Sequence, residues 1–105
     1  MSESQTVTPE NLLPDVGTSA ASIALPLVLI ADADSASRLD RTRHFEGRGY
    51  RVAVARTPFE AIVKASCHLP DLIVVDVSLG EDGVRETTEL LATCPATAHI
   101  PIVRL

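Results

Sequence analysis

The chain has 105 residues, a formal net charge of -5 and 46% hydrophobic residues, a balance that suits one small globular domain. The acidic charge argues against a general affinity for nucleic acid. The longest apolar run, Ile23 to Ala31, is interrupted by Pro26 and is too short to span a bilayer.

Aromatic residues make up 3% of the chain, so the core has to be built from Val, Ile, Leu and Ala. Cys67 and Cys94 are far apart and form no CxxC pair, which reads as ordinary intracellular thiols rather than a disulfide. His44, His68 and His99 have no metal-ligand spacing with them. The polar, acidic start MSESQ is unlike a signal peptide. A cytoplasmic protein is expected.

In chain order, residues 1–24 form the first segment, rich in Ser, Thr, Pro, Asn and acids over its first 22 residues. They carry Glu3, Glu10 and Asp15 and no base, and are expected to be a disordered leader. Residues 25–105 are expected to be the domain. Leu25 to Ala31 (LPLVLIA) is an aliphatic run of the kind found in strands covered on both faces. Residues 35–48 predict a helix, stopped by Gly47 and Gly49. Tyr50 to Arg56 alternates and predicts a second strand. Thr57-Pro58-Phe59-Glu60 opens a second helix: Thr57 can cap, Pro58 fits the first turn, and Glu60 can complete a capping box. That helix should run to about His68 and stop near Pro70. Leu72 to Val77 predicts a third strand. Residues 82–93 predict a third helix, with Val84, Thr87 or Thr88, and Leu91 on one stripe. Ile100 to Leu105 predicts a fourth strand.

The order βαβαβαβ predicts an α/β fold with a parallel sheet and helices on both faces. Such sheets bind ligands beyond the carboxyl ends of their strands, where the strand order reverses. Two strands end in acids, the first in Asp32 and the third in Asp76. If these strands are neighbours, roughly 5 Å apart, two carboxylates share one crevice and repel unless a cation or proton lies between them. A hard divalent ion such as Mg2+ suits such oxygen ligands. A carboxylate placed there can also be a nucleophile toward phosphorus. The competing reading is structural: Asp76 caps a loop, and Asp34 or Ser35 caps the first helix.

LVLIADADS followed by PDLIVVDVSLGEDG, with Gly-Tyr before the second strand and Glu60-Ala61 in the second helix, resembles the receiver domain of two-component response regulators. The resemblance covers residues 25–105. It implies a flavodoxin-like sheet of order 2-1-3-4-5, here incomplete after the fourth strand. It implies a signalling module rather than an enzyme, with Asp76 accepting a phosphoryl group from a histidine kinase or phosphotransfer protein. It implies Mg2+ held by Asp32, Asp76 and the backbone carbonyl of Ser78.

The sequence also departs from the receiver pattern. The family usually has two adjacent acids after strand one, and here the second position is Ala33, with Asp34 as a possible substitute ligand or helix cap. The loop after Asp76 lacks the usual Pro and one position. Ser37, Asp40, Arg41 and His44 stand in the first helix where apolar side chains are expected, and burying them without partners would be costly. The arginines at 38, 41, 43, 48, 51 and 56 read as a solvated face or as a docking surface for an acidic partner. The chain stops before the family's strand-four Thr or Ser, its strand-five Lys and its last helices. This leaves strand four as an edge and makes self-association possible.

Three functions follow as alternatives. The first is a phosphoacceptor module. The second is a non-phosphorylated pseudo-receiver acting in protein interaction or dimerisation, and the third is a fragment of a longer response regulator. The Asp32-Ala33-Asp34 pattern also fits a haloacid-dehalogenase nucleophile, but the rest of such a chain is absent. There is no room for a helix-turn-helix unit, so no direct nucleic-acid contact is expected.

Overall fold

The computed structural model describes residues 25–105; the expected disordered leader, 1–24, lies outside the described residues. The elements are β1 (Leu27–Ala31), α1 (Ser35–Gly47), β2 (Arg51–Ala55), α2 (Pro58–His68), β3 (Leu72–Val75), a short 3-10 turn (Val77–Leu79), α3 (Glu81–Thr93) and β4 (Ile102–Arg104). The four strands form one sheet of order β2-β1-β3-β4, and every pairing is parallel. The expected α/β architecture is therefore present, as a flavodoxin-like sheet carried to its fourth strand.

The aliphatic runs form strands because both faces of the sheet are covered. Val28, Leu29, Ile30 and Ala31 in β1 and Ile73, Val74 and Val75 in β3 are all buried. Alternate side chains point to opposite faces, so the core has two halves. Leu29, Ala31, Ile73 and Val75 pack with Ala61, Ala65 and Leu91 of α2 and α3. Val28, Ile30 and Val74 pack with Phe45 and Tyr50 on the α1 side. Burying a Leu, Ile or Val side chain contributes about 1.5–3 kcal/mol, so the two central strands carry much of the stability.

Helix ends follow local chemistry. Thr57 Oγ1 accepts the Glu60 N–H at 3.1 Å, as expected of a cap. Glu60 reaches back one residue further than a capping box requires: its Oε1 accepts the Arg56 N–H at 2.6 Å. Helix α2 ends at Leu69, whose left-handed backbone (φ 48°) turns the chain ahead of Pro70. On α3 the buried stripe is Thr87 and Leu91. The Thr87 hydroxyl is satisfied within the helix, donating to the Gly83 carbonyl at 2.7 Å. Gly83 itself allows α3 to approach α2, since a Cβ there would meet Pro58 Cγ and Leu79 Cβ at 3.3 Å.

Strand bounds are tighter than the sequence suggests. β3 ends at Val75, and Val77 belongs to the 3-10 turn. Asp71, ahead of β3, ties the two central strands together at their start. Its Oδ2 accepts the Leu27 N–H at 2.8 Å, and its own N–H donates to the Leu27 carbonyl at 2.8 Å. This fixes the register in which β1 and β3 begin. Cys67 and Cys94 are both free thiols. Among the described residues no helix is long and apolar enough to cross a membrane.

Candidate functional site

The sheet order makes the two acid-ended strands neighbours. Val75 pairs with Ala31, so Asp32 and Asp76 leave adjacent strands side by side. The backbone fixes both: the Asp76 N–H donates to the Ala31 carbonyl at 2.8 Å, and the Asp32 N–H donates to the Ala55 carbonyl at 2.9 Å. The chain leaves β1 toward β2 on one side and returns to β3 on the other. The crevice between β1 and β3 is therefore the point where strand order reverses.

Asp32 is fully buried and Asp76 is 6% exposed, and both are hydrogen-bonded from several directions. Asp32 Oδ1 accepts the Asp34 N–H at 2.9 Å and the Ser78 hydroxyl at 2.8 Å. Asp32 Oδ2 accepts the Ser37 hydroxyl. The same Ser78 hydroxyl accepts the Ala33 N–H at 2.9 Å, tying the loop after β1 to the loop after β3. Asp76 Oδ2 accepts the Ser78 N–H at 2.8 Å, which turns the chain into the 3-10 segment.

The decisive group comes from α1. Arg41 Nη2 donates to Asp76 Oδ1 at 2.6 Å, and Arg41 Nε lies 3.4 Å from Asp32 Oδ2. One guanidinium thus contacts both carboxylates. Arg38, one turn earlier, donates from Nη1 to the Asp32 carbonyl at 2.9 Å. Burial pushes the Asp32 carboxyl up. The Ser37 hydroxyl, the Asp34 N–H, the Ser78 hydroxyl and the Arg41 charge outweigh it, so the acid is held below its ordinary pKa.

These contacts explain the odd composition of α1. Its polar side chains at 37, 38 and 41 turn into the crevice and find partners there, so they do not face an apolar core. Three of the residues that the sequence marks as misplaced or as part of a basic face are the lining of the site. Asp40 and His44 remain exposed. The sequence signal for Ser37 and Arg41 is their four-residue spacing, which sets both on one helix face. Their target is not visible without the strand order.

Of the sequence-marked residues, Asp32, Asp76 and Ser78 come together. Ser78 enters through its hydroxyl and its N–H. Asp34 turns its carboxylate to its own helix: Oδ2 accepts the Ser37 N–H at 2.9 Å and caps α1.

As arranged, the crevice does not fit Mg2+. That ion asks for near-octahedral oxygen ligation at about 2.0–2.1 Å. Ala33 supplies no side-chain oxygen, Asp34 is a cap, and a guanidinium of like charge to the metal stands against both remaining carboxylates. No group of three or more His, Cys, Asp or Glu side chains able to hold a metal is present among the described residues.

A parallel α/β domain with paired carboxylates at its switch point defines the class, and comparison with solved structures refines it. The N-terminal domain of a response regulator receiver protein from Methanoculleus marisnigri matches with a TM-score of 0.71 at 28% identity, over 76% of this chain and 65% of that one. Chemotaxis protein CheY4 of Vibrio cholerae matches with a TM-score of 0.71 at 25% identity, over 77% of this chain and 68% of that one. The receiver domain of a signal transduction histidine kinase from Syntrophus aciditrophicus matches with a TM-score of 0.70 at 26% identity, over 76% of this chain and 61% of that one. The chain therefore has the fold of response regulator receiver domains, in partial form, and spans about two thirds of the length of these matches. No protein-family model matches the sequence, and no curated protein does.

Proposed function

We propose that the chain is a signalling module of the receiver class that acts by binding a partner protein, without Mg2+-dependent phosphoryl transfer. The observation that carries this reading is the ion pair at Asp76. Its Oδ1 is held by Arg41 at 2.6 Å and its Oδ2 by the Ser78 N–H at 2.8 Å, so the nucleophile's oxygens are both engaged inside the molecule. Two-component signalling remains the context, with a histidine kinase or phosphotransfer protein as the class of partner.

A second reading keeps Asp76 as a phosphoacceptor, favoured by its place at the end of β3 beside Asp32. In that case an Asp76 oxygen attacks the phosphorus of a phosphohistidine, the P–N bond breaks, and the imidazole nitrogen keeps the electron pair and takes a proton from water. Arg41 has to release Oδ1 first.

The two readings separate by intact-mass spectrometry after incubation with acetyl phosphate and Mg2+, with Asp76→Asn as control. The partner-binding reading expects no adduct on the folded wild-type chain. A single phosphoryl adduct on the wild type that disappears in Asp76→Asn would replace it with the phosphoacceptor reading.

A further inference from the structure

We infer that Arg41 is the resident counter-cation of the crevice, and that a divalent cation binds there only when the guanidinium is removed. This deepens the reading above and rests on it.

Charge imposes the first constraint. Two carboxylates on adjacent strand ends, one fully buried and one 6% exposed, repel each other, and a cation beside both relieves that repulsion. The hydrogen bonds from Ser37, Ser78 and the Asp34 N–H stabilise the Asp32 anion but bring no net charge. Arg41 brings one positive charge. It is the one cationic side chain among the described residues paired with either acid, and it reaches both from α1. Its own side chain is 27% exposed while those of Asp32 and Asp76 are 0% and 8% exposed. It therefore covers the carboxylates from the solvent side.

Geometry makes the two cations exclusive. Guanidinium nitrogens 2.6 Å from Asp76 Oδ1 and 3.4 Å from Asp32 Oδ2 already stand against the carboxylate oxygens that would hold a metal. The fit of the arginine is incomplete, since Nε is buried and makes no hydrogen bond although Asp32 Oδ2 is 3.4 Å away. A small divalent ion with its own water shell suits the same pair of anions once the arm is gone.

The neutral substitution is the test. Mn2+, a spectroscopic substitute for Mg2+, is titrated by electron paramagnetic resonance into the full chain as wild type, Arg41→Ala and Arg41→Gln. Arg41→Ala is expected to bind one Mn2+ at least tenfold more tightly than wild type, with Arg41→Gln also improved. Adding Ala33→Asp to Arg41→Ala should tighten binding further, and Asp76→Asn should abolish it. Equal or tighter Mn2+ binding by the wild type overturns the inference. So does a folded Arg41→Gln with no gain. If Arg41→Ala does not fold alone, recovery of its circular dichroism signal by Mn2+ supports the inference. No recovery, together with an Arg41→Gln that gains nothing, overturns it. Failure of the function proposed above would instead appear as a phosphoryl adduct on the wild-type chain, whatever the Mn2+ affinities are.

Discussion

At the scale of single residues, the crevice is an arrangement of charges whose partners come from two loops and one helix. Asp32 is stabilised as an anion by two hydroxyls, a backbone N–H and the Arg41 guanidinium, so its folded pKa lies below its unfolded one. The unfolded chain binds the proton more readily, and stability from this group rises with pH. It is fully present above the ordinary carboxylate range, near pH 4, and is lost as the pH falls through the depressed folded value. Asp32→Asn should flatten that part of the acid limb, read as the pH dependence of urea unfolding between pH 5 and pH 2. An acid limb unchanged by the substitution would mean that the hydrogen bonds do not favour the ionised form. The two acids are legible in the sequence because a carboxylate at the end of an aliphatic run is unusual. Arg41 and Ser37 are legible only as misfits in α1. What they contact depends on β1 and β3 being neighbours, which periodicity does not encode.

At the scale of elements, local rules explain the helices and fail at their margins. The Thr57 cap is readable because Thr, Pro and Glu occupy the positions that an N-terminus needs. Its replacement, Thr57→Ala, leaves the Glu60 N–H without its acceptor. It should lower stability by about 1 kcal/mol, a fall in Tm of roughly 4–8 °C for a domain of this size, measured by circular dichroism. A change under about 1 °C would mean that water replaces the hydroxyl without loss. The α3 stripe is also readable, since Thr87 and Leu91 are one turn apart and both buried. The 3-10 turn at Val77–Leu79 is not. It forms because Asp76 Oδ2 takes the Ser78 N–H, a side-chain contact that draws Val77 out of the strand. The Glu60 contact misses its expected donor by one residue: its carboxylate accepts the Arg56 N–H, just ahead of the Thr57 cap.

At the scale of the whole molecule, alternating strands and helices lead to a parallel sheet with few alternatives. The order β2-β1-β3-β4 is what turns two distant acids into a site. It also sets α1 alone on one face, with α2 and α3 on the other, so the arm that reaches the carboxylates comes from the α1 side. If Arg41 already stands as the cation of the crevice, the folded chain gains little from a divalent ion. The most direct measurement is the Tm of the wild-type chain with 0 and about 10 mM Mg2+ at matched ionic strength, which removes general screening. With Arg41 as the internal counter-cation, the expected shift is under about 1 °C. Binding with a Kd near 1 mM would add about 1.4 kcal/mol to the folded state, a rise of roughly 6–11 °C, and a rise of that size would contradict an internal counter-cation.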